Sequence, residues 1–202
     1  MTKRHAHGEP VGATVQTTSS RSTLVSMSSQ DLRIAAARYA LGVLPSSELG
    51  HVADRALGCG LYSFSLGELA TMTRPTMADA GPLFESALQE LGVPIPSQDD
   101  AAWTLLRYHI GRIAGGEVAP RQGLRAILED VYYPAQLHAQ RERYGADVYD
   151  VGSFHASFYS YDDLEARPSE VFFDGLYGED AMKALDRAVV DLAREWRIRH
   201  GA

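Results

Sequence analysis

Three stretches of this chain carry apolar residues at helical spacing, and glycine or proline bounds each one. Trp103, Leu106, Ile110 and Ile113 step by three, four and three. Leu124, Ile127, Leu128 and Val131 stand at i, i+3, i+4 and i+7. Met182, Leu185, Val189, Leu192 and Trp196 form a third stripe near the C-terminus. An α-helix turns once in about 3.6 residues, so each pattern lines one side of a helix and requires a second apolar surface to cover it. The segment Ser169-Glu-Val-Phe-Phe-Asp174 reads as the one strand. The expected fold is therefore mostly α: a single helical domain of about six or seven helices, with at most one short strand pair.

Punctuation along the chain supports that count. Leu32 to Leu41 is rich in helix formers and stops at Gly42. Pro45-Ser46-Ser47-Glu48 opens a second helix, which Gly58 or Gly60 ends. Leu61 to Met72 fits a short strand or a helix. Pro75-Thr76 starts a helix that Gly92 closes. Ser97 with Gln98, Asp99 and Asp100 supplies a cap and acids at the positive end of the helix dipole. Gly115-Gly116 and Pro120 separate the first two apolar stripes, which predicts an antiparallel helix pair. Glu179 and Asp180 begin the last helix, and Arg197, Arg199 and His200 end it before Gly201.

The first 28 residues differ from the rest. Ten of the sixteen residues from Thr14 to Ser29 are Ser or Thr, and residues 1–30 carry a net +2 while the whole chain carries −7. Such a segment buries too little apolar surface to offset its ordering entropy, so 1–28 is expected to be a disordered tail and 29–202 the single helical domain. The single cysteine, Cys59, excludes an intramolecular disulfide, and no window approaches the roughly 18 apolar residues of a membrane span. These features suit a cytoplasmic protein. The acidic balance speaks against nonspecific nucleic-acid binding, which depends on neutralising phosphates, and suits a basic protein partner.

The run Gly116-Glu117-Val118-Ala119-Pro120-Arg121-Gln122-Gly123-Leu124 resembles a Gly-Glu-x-x-Pro-x-x-Gly segment that links two helices in a loose group of small bacterial proteins of uncharacterised function. Tyr159-Ser-Tyr-Asp-Asp-Leu164 and the ending Trp196-x-x-x-His200-Gly201 look similar to the same group. The resemblance spans about residues 80–201. It implies a helical fold and a bacterial source, and no activity, substrate or catalytic residue.

Motifs of catalysis are missing. The chain has no Gly-Lys-Ser/Thr phosphate loop, no Cys-x-x-Cys, no His-Glu-x-x-His and no Gly-x-Ser-x-Gly. Accordingly no catalytic residue, metal ligand or cofactor is assigned. Two histidines stand out. His109 lies at the edge of the Trp103 stripe, with Arg107 and Arg112 beside it, so a cationic pocket is conceivable. His155 has Asp147 and Asp150 before it and Asp162 and Asp163 after it, an arrangement open to a metal site or a carboxylate-oriented general base. Glu129 and Asp130 sit at a helix C-terminus, against the dipole, a local cost that either marks a site or is offset by Arg125 four residues before Glu129.

Eleven of the eighteen aromatic residues fall between Tyr132 and Tyr177, among many acids and only three arginines. Phe154, Phe158, Phe172 and Phe173 read as core. Asp147, Tyr149, Asp150, Tyr159, Tyr161, Asp162, Asp163 and Glu165 read as an exposed face, because tyrosine supplies rigid contact area and clustered carboxylates attract a cationic partner. The leading expectation is a protein-binding module that engages a basic partner through this acidic, Tyr-rich face, an immunity or antitoxin-type inhibitor being one concrete form. The alternative is a small enzyme or ligand-binding protein whose pocket uses His109 and His155.

Overall fold

The computed structural model describes residues 29–134 and 149–201. The expected tail, 1–28, and Asp147 lie outside these residues. The described chain is mostly helical, with one two-strand antiparallel pair. Its elements are α1 (Ser29–Ala40), α2 (Ser46–Gly58), α3 (Phe64–Thr71), α4 (Met77–Glu90), α5 (Gln98–Ala114), α6 (Pro120–Ile127), a π-helical turn (Leu128–Tyr132), α7 (Gly152–Ala166), β1 (Phe172–Phe173), β2 (Leu176–Tyr177) and α8 (Gly178–His200).

Local chemistry explains most boundaries. Ser63, Thr76 and Ser97 are N-caps whose hydroxyls accept the Leu66, Asp79 and Asp100 N–H groups at 3.1, 3.3 and 3.2 Å. Ser63 thus resolves the ambiguous segment after Leu61 as a helix. Gly42, Gly92 and Gly201 follow helix ends with φ of 70°, 67° and 62°, a backbone that side chains with a Cβ disfavour. Asp174 and Gly175 join β1 to β2 with φ of 52° and 74°, both positive, which matches the tight turn favoured by the twist of a hairpin.

Two apolar clusters form. One gathers α2, α3, α4 and one side of α1 around Leu49, Leu66, Leu69 and Phe84. The other gathers α5 to α8 around Leu105, Ile110, Ile127, Leu185 and Trp196, and takes Ile34 and Ala37 from the opposite side of α1 and Leu41 just after it. Helix α1 is therefore apolar on two sides and is the shared wall. Burying a Leu, Ile or Phe side chain is worth about 1.5–3 kcal/mol, so both clusters contribute substantially to folding.

The expected stripes are the buried faces. Leu124, Ile127, Leu128 and Val131 are all buried, as are Leu185, Val189 and Trp196, while Met182 and Leu192 pack half-buried at the edge. Two features differ from expectation. The aromatic-acidic stretch contains an additional helix, α7, whose core contacts Phe154, Tyr161 and Leu164, with Phe158 half-buried among them, step by four, three and three along one face. Phe172 is also a surface residue, 63% exposed, because its two-residue strand has one face in solvent.

The resemblance segment links α5 to α6. Gly116 has a φ of 71°, Pro120 occupies the first turn of α6, where its missing N–H costs nothing, and Gly123 lies against Ile113 so closely that a Cβ would fall 2.3 Å from Ile113 Cγ1. Gly116, Pro120 and Gly123 of that run thus each meet a backbone or packing requirement of the hairpin.

Candidate functional site: a polar pocket beside a widened turn

After Ile127 the helix widens. The Tyr133 N–H bonds back to the Leu128 carbonyl, five residues earlier, instead of four. Pro134 follows and has no N–H with which to continue an α-helical ladder. Single π-type turns inside helices recur at functional sites. Here the turn carries Asp130, whose two oxygens reach different neighbours. Oδ1 accepts from Arg38 Nε at 3.3 Å, and Oδ2 lies 2.9 Å from His109 Nε2. Arg38 also donates from Nη1 to Glu48 Oε2 at 2.7 Å. Burial disfavours the Arg38 cation, but these carboxylates outweigh that effect and hold it protonated.

The cluster borders a cavity of about 250 Å³. Asp31, Arg38, Arg55, His109, Arg112 and Asp130 contribute its polar lining, with Tyr108 and aliphatic side chains from α1 and α2. His109 is 6% exposed and is the only buried histidine among the described residues. A carboxylate on one ring nitrogen fixes the ring and its proton, as in sites where histidine binds or moves a proton. Convergence of a buried, carboxylate-oriented histidine and several cations on one concavity makes this a candidate ligand site, more polar than most.

The acidic, Tyr-rich face does not assemble as expected. Tyr149 and Tyr161 are core residues, and that is a correction. Tyr149 is wedged between α5 and α8: its ring meets Trp103 at 5.5 Å, its hydroxyl donates to Asp99 at 3.2 Å, and its carbonyl accepts from Trp196 Nε1 at 3.3 Å. Tyr161 is 1% exposed and donates to Asp186 at 2.5 Å. Burial raises the pKa of both phenols, and the neighbouring carboxylates add to it. A tyrosine ring is large enough to join a core while its hydroxyl finds a partner at the edge, and both do so.

The acids are exposed but engaged. Asp150, with a φ of 54°, accepts from Arg199 Nη2 at 2.8 Å and lies 3.2 Å from His200 Nε2. Burial pushes the Asp150 carboxyl up, yet those two partners hold it below its usual range. Arg121 bridges Asp162 at 2.8 Å and Glu165 at 2.7 Å, and Asp163 pairs with Arg167 at 3.1 Å. The Arg121 hydrogen bond lowers the Glu165 pKa. What remains open on this side is aromatic: Tyr159 is 45% exposed and Tyr133 42% exposed, with hydroxyls 3.3 Å apart.

His155 does not join His109. Its ring stacks on Tyr132 at 4.4 Å and meets Tyr159 edge-on at 4.9 Å. Of its expected carboxylate neighbours, Asp150, Asp162 and Asp163 pair with arginines instead, and no group of three potential metal ligands occurs among the described residues. Arg112 does line the pocket, whereas Arg107 lies over the Trp103 ring, 5.7 Å from its centre. Arg125 makes no ion pair with Glu129 among the described residues, and the dipole-opposed acid with a structural partner set is Asp130. Sequence reasoning did not identify Asp31, Arg38, Glu48 and Arg55 as site residues. The available signal was Arg38, a lone cation within the apolar run Ala35-Ala36-Ala37-Arg38-Tyr39-Ala40.

Comparison of the chain with protein-family models, with curated proteins and with solved structures gives no match. No described helix is long and apolar enough to cross a membrane.

Proposed function

We propose that this protein binds a small polar ligand in the cavity between α1, α2, α5 and the π-helical turn. One observation carries the reading: His109 is buried, bound to Asp130 on a widened turn, and opens with Arg38, Arg55 and Arg112 onto the same concavity. A cavity of about 250 Å³ lies just below the range of about 300–1,000 Å³ typical of drug-sized ligands, and so suits a smaller one. The test is a fragment screen by two-dimensional NMR on the full chain. Binding that moves the His109 ring and the Arg112 side-chain resonances, and that is lost in Arg112→Ala, supports the reading. A screen whose hits all map elsewhere rejects it.

A second reading is the protein-binding module expected from the sequence, in a narrower form. It is favoured by Tyr133 and Tyr159, an exposed aromatic pair flanked by Asp162 and Asp163. Exposed tyrosines make effective contact residues at interfaces. The electrostatic part of the expectation is weaker, since Arg121 and Arg167 already answer the nearby acids. Pull-down with wild-type protein and with Tyr133→Ala/Tyr159→Ala tests it: a basic partner retained by the first and lost by the second supports a recognition surface there.

A further inference from the structure

We infer that the ligand of the His109 pocket is a small oxyanion, a carboxylate or a phosphate; this rests on the ligand-binding reading proposed above. The argument is one of spare hydrogen-bonding capacity. Asp130 has both oxygens occupied, by Arg38 and His109. Asp31 also has an interaction partner. Arg38 donates from Nε to Asp130, from Nη1 to Glu48 and, at 3.5 Å, from Nη2 to the Val43 carbonyl. Both aspartates of the pocket, and its central cation, are thus already engaged.

Two cations of the lining are less engaged. Arg55 makes no ion pair among the described residues, although it lines the cavity. Arg112 meets one carboxylate, Glu117, at 3.7 Å, beyond good hydrogen-bond distance, and its guanidinium lies over the Tyr108 ring, 5.4 Å from the centre. Stacking on an aromatic face orients a guanidinium while leaving its edge N–H groups available to an acceptor. Three arginines face two aspartates around the cavity, so the lining is net positive in a chain of net −7. Five N–H donors in a planar fork match an oxyanion, and none of them can accept from a cation.

The test uses inorganic phosphate and acetate as separate probes, with glycerol as a neutral control and ammonium as a cationic one. Each is titrated into the full chain at constant ionic strength and followed by NMR at His109 and at the arginine side chains. The expected result is saturable shifts with phosphate or acetate, weakened about tenfold or more in Arg55→Gln and again in Arg112→Gln. Phosphate binding without acetate binding assigns the site to phosphoryl groups, and the converse to carboxylates. If glycerol or ammonium shifts the pocket and neither anion does, the oxyanion assignment is overturned while the pocket stands. If no probe and no screened fragment reaches His109, both inferences fall. Circular dichroism and the thermal midpoint of each variant confirm folding, and Arg55→Lys, which keeps the charge but not the fork, is expected to restore only part of the affinity.

Discussion

His109 Nε2 and Asp130 Oδ2 lie 2.9 Å apart, twenty-one positions apart in sequence, and their contact ties α5 to the widened turn after α6. Asp130 lies within the widened turn, and it is tolerated there because Arg38 and His109 each engage one of its oxygens. The acid that looks misplaced at a helix C-terminus is compensated from two other helices.

Asp130→Ala should therefore destabilise the fold by about 1–3 kcal/mol, since it leaves the largely buried His109 nitrogen without its partner. Urea unfolding of the variant gives the value. In a double-mutant cycle with His109→Gln the two effects should fall short of additive. Fully additive losses would mean that the pair does not act as one unit.

Gly123→Ala tests the α5–α6 hairpin. The added Cβ would lie 2.3 and 2.7 Å from Ile113 Cγ1 and Cδ1, and Ile113 is fully buried. Overpacking a well-filled core costs about 1–3 kcal/mol. A smaller neighbour should relieve it, so Ile113→Val in the Gly123→Ala background should recover part of the loss. An unchanged thermal midpoint in the single variant would show that the two helices separate at little cost.

This hairpin also marks what a sequence can disclose. Its helices, their buried stripes, the glycine break and the restart at Pro120 all follow from short-range rules and are found where expected. Helix α7 is obscured by its composition, since its serines and tyrosines favour no helix strongly, although Phe154, Phe158, Tyr161 and Leu164 step by four, three and three along one face. The pocket was legible only in part. His109, Arg112 and Asp130 drew attention locally, whereas Arg38, Arg55 and Asp31 come from helices whose placement depends on tertiary packing. The aromatic-acidic stretch misled for a related reason. Composition shows that tyrosines and acids are concentrated, but the apolar surroundings of Tyr149 and Tyr161, and the arginines brought to Asp150, Asp162 and Glu165, arrive from distant segments.

An acid limb of stability should trace to Glu90. Its carboxylate accepts from the Ser65 hydroxyl at 2.6 Å and from the Ser65 N–H at 3.2 Å, at the N-terminus of α3. The Ser65 hydroxyl, then the backbone N–H, hold its pKa below the ordinary carboxylate range. A lowered native pKa means that the contribution is present above the unfolded-state value and lost as pH falls through the native one. Glu90→Gln should reduce the steepness of the stability loss below about pH 4.5, the ordinary glutamate range, and change little relative to wild type once both are fully acidified. Unfolding midpoints measured from pH 7 to pH 2 check this.

The Arg121 clamp should matter little to folding. Asp162→Asn with Glu165→Gln removes both of its carboxylates, which are exposed, and exposed ion pairs contribute about 0–1 kcal/mol. Arg121 should then be available to solvent, and its raised pKa, set first by the Glu165 hydrogen bond, should relax. A loss well above 1 kcal/mol in denaturant unfolding would make the clamp a structural anchor of α7 on α6.

Trp196 should be the most costly single truncation on α8. It is 0% exposed, stacks with His200 at 4.4 Å, faces Trp103 at 6.0 Å, and donates its indole N–H to the Tyr149 carbonyl. Aromatic-to-alanine changes in a filled core cost about 3–5 kcal/mol through lost transfer energy and the cavity left behind. Trp196→Phe should cost less, because it keeps most of the ring and loses chiefly the hydrogen bond. The truncation should also act on a specific neighbour. The Tyr149–Asp150 segment is fastened by Trp196 from within and by Arg199 and His200 from outside. Amide exchange at residues 149–151 should therefore accelerate more in Trp196→Ala than in a variant of equal stability loss made in the α2–α4 cluster, such as Leu66→Ala. Equal acceleration in both would show that this segment opens only with global unfolding, and that Trp196 contributes to the core as a whole without a particular role in holding it.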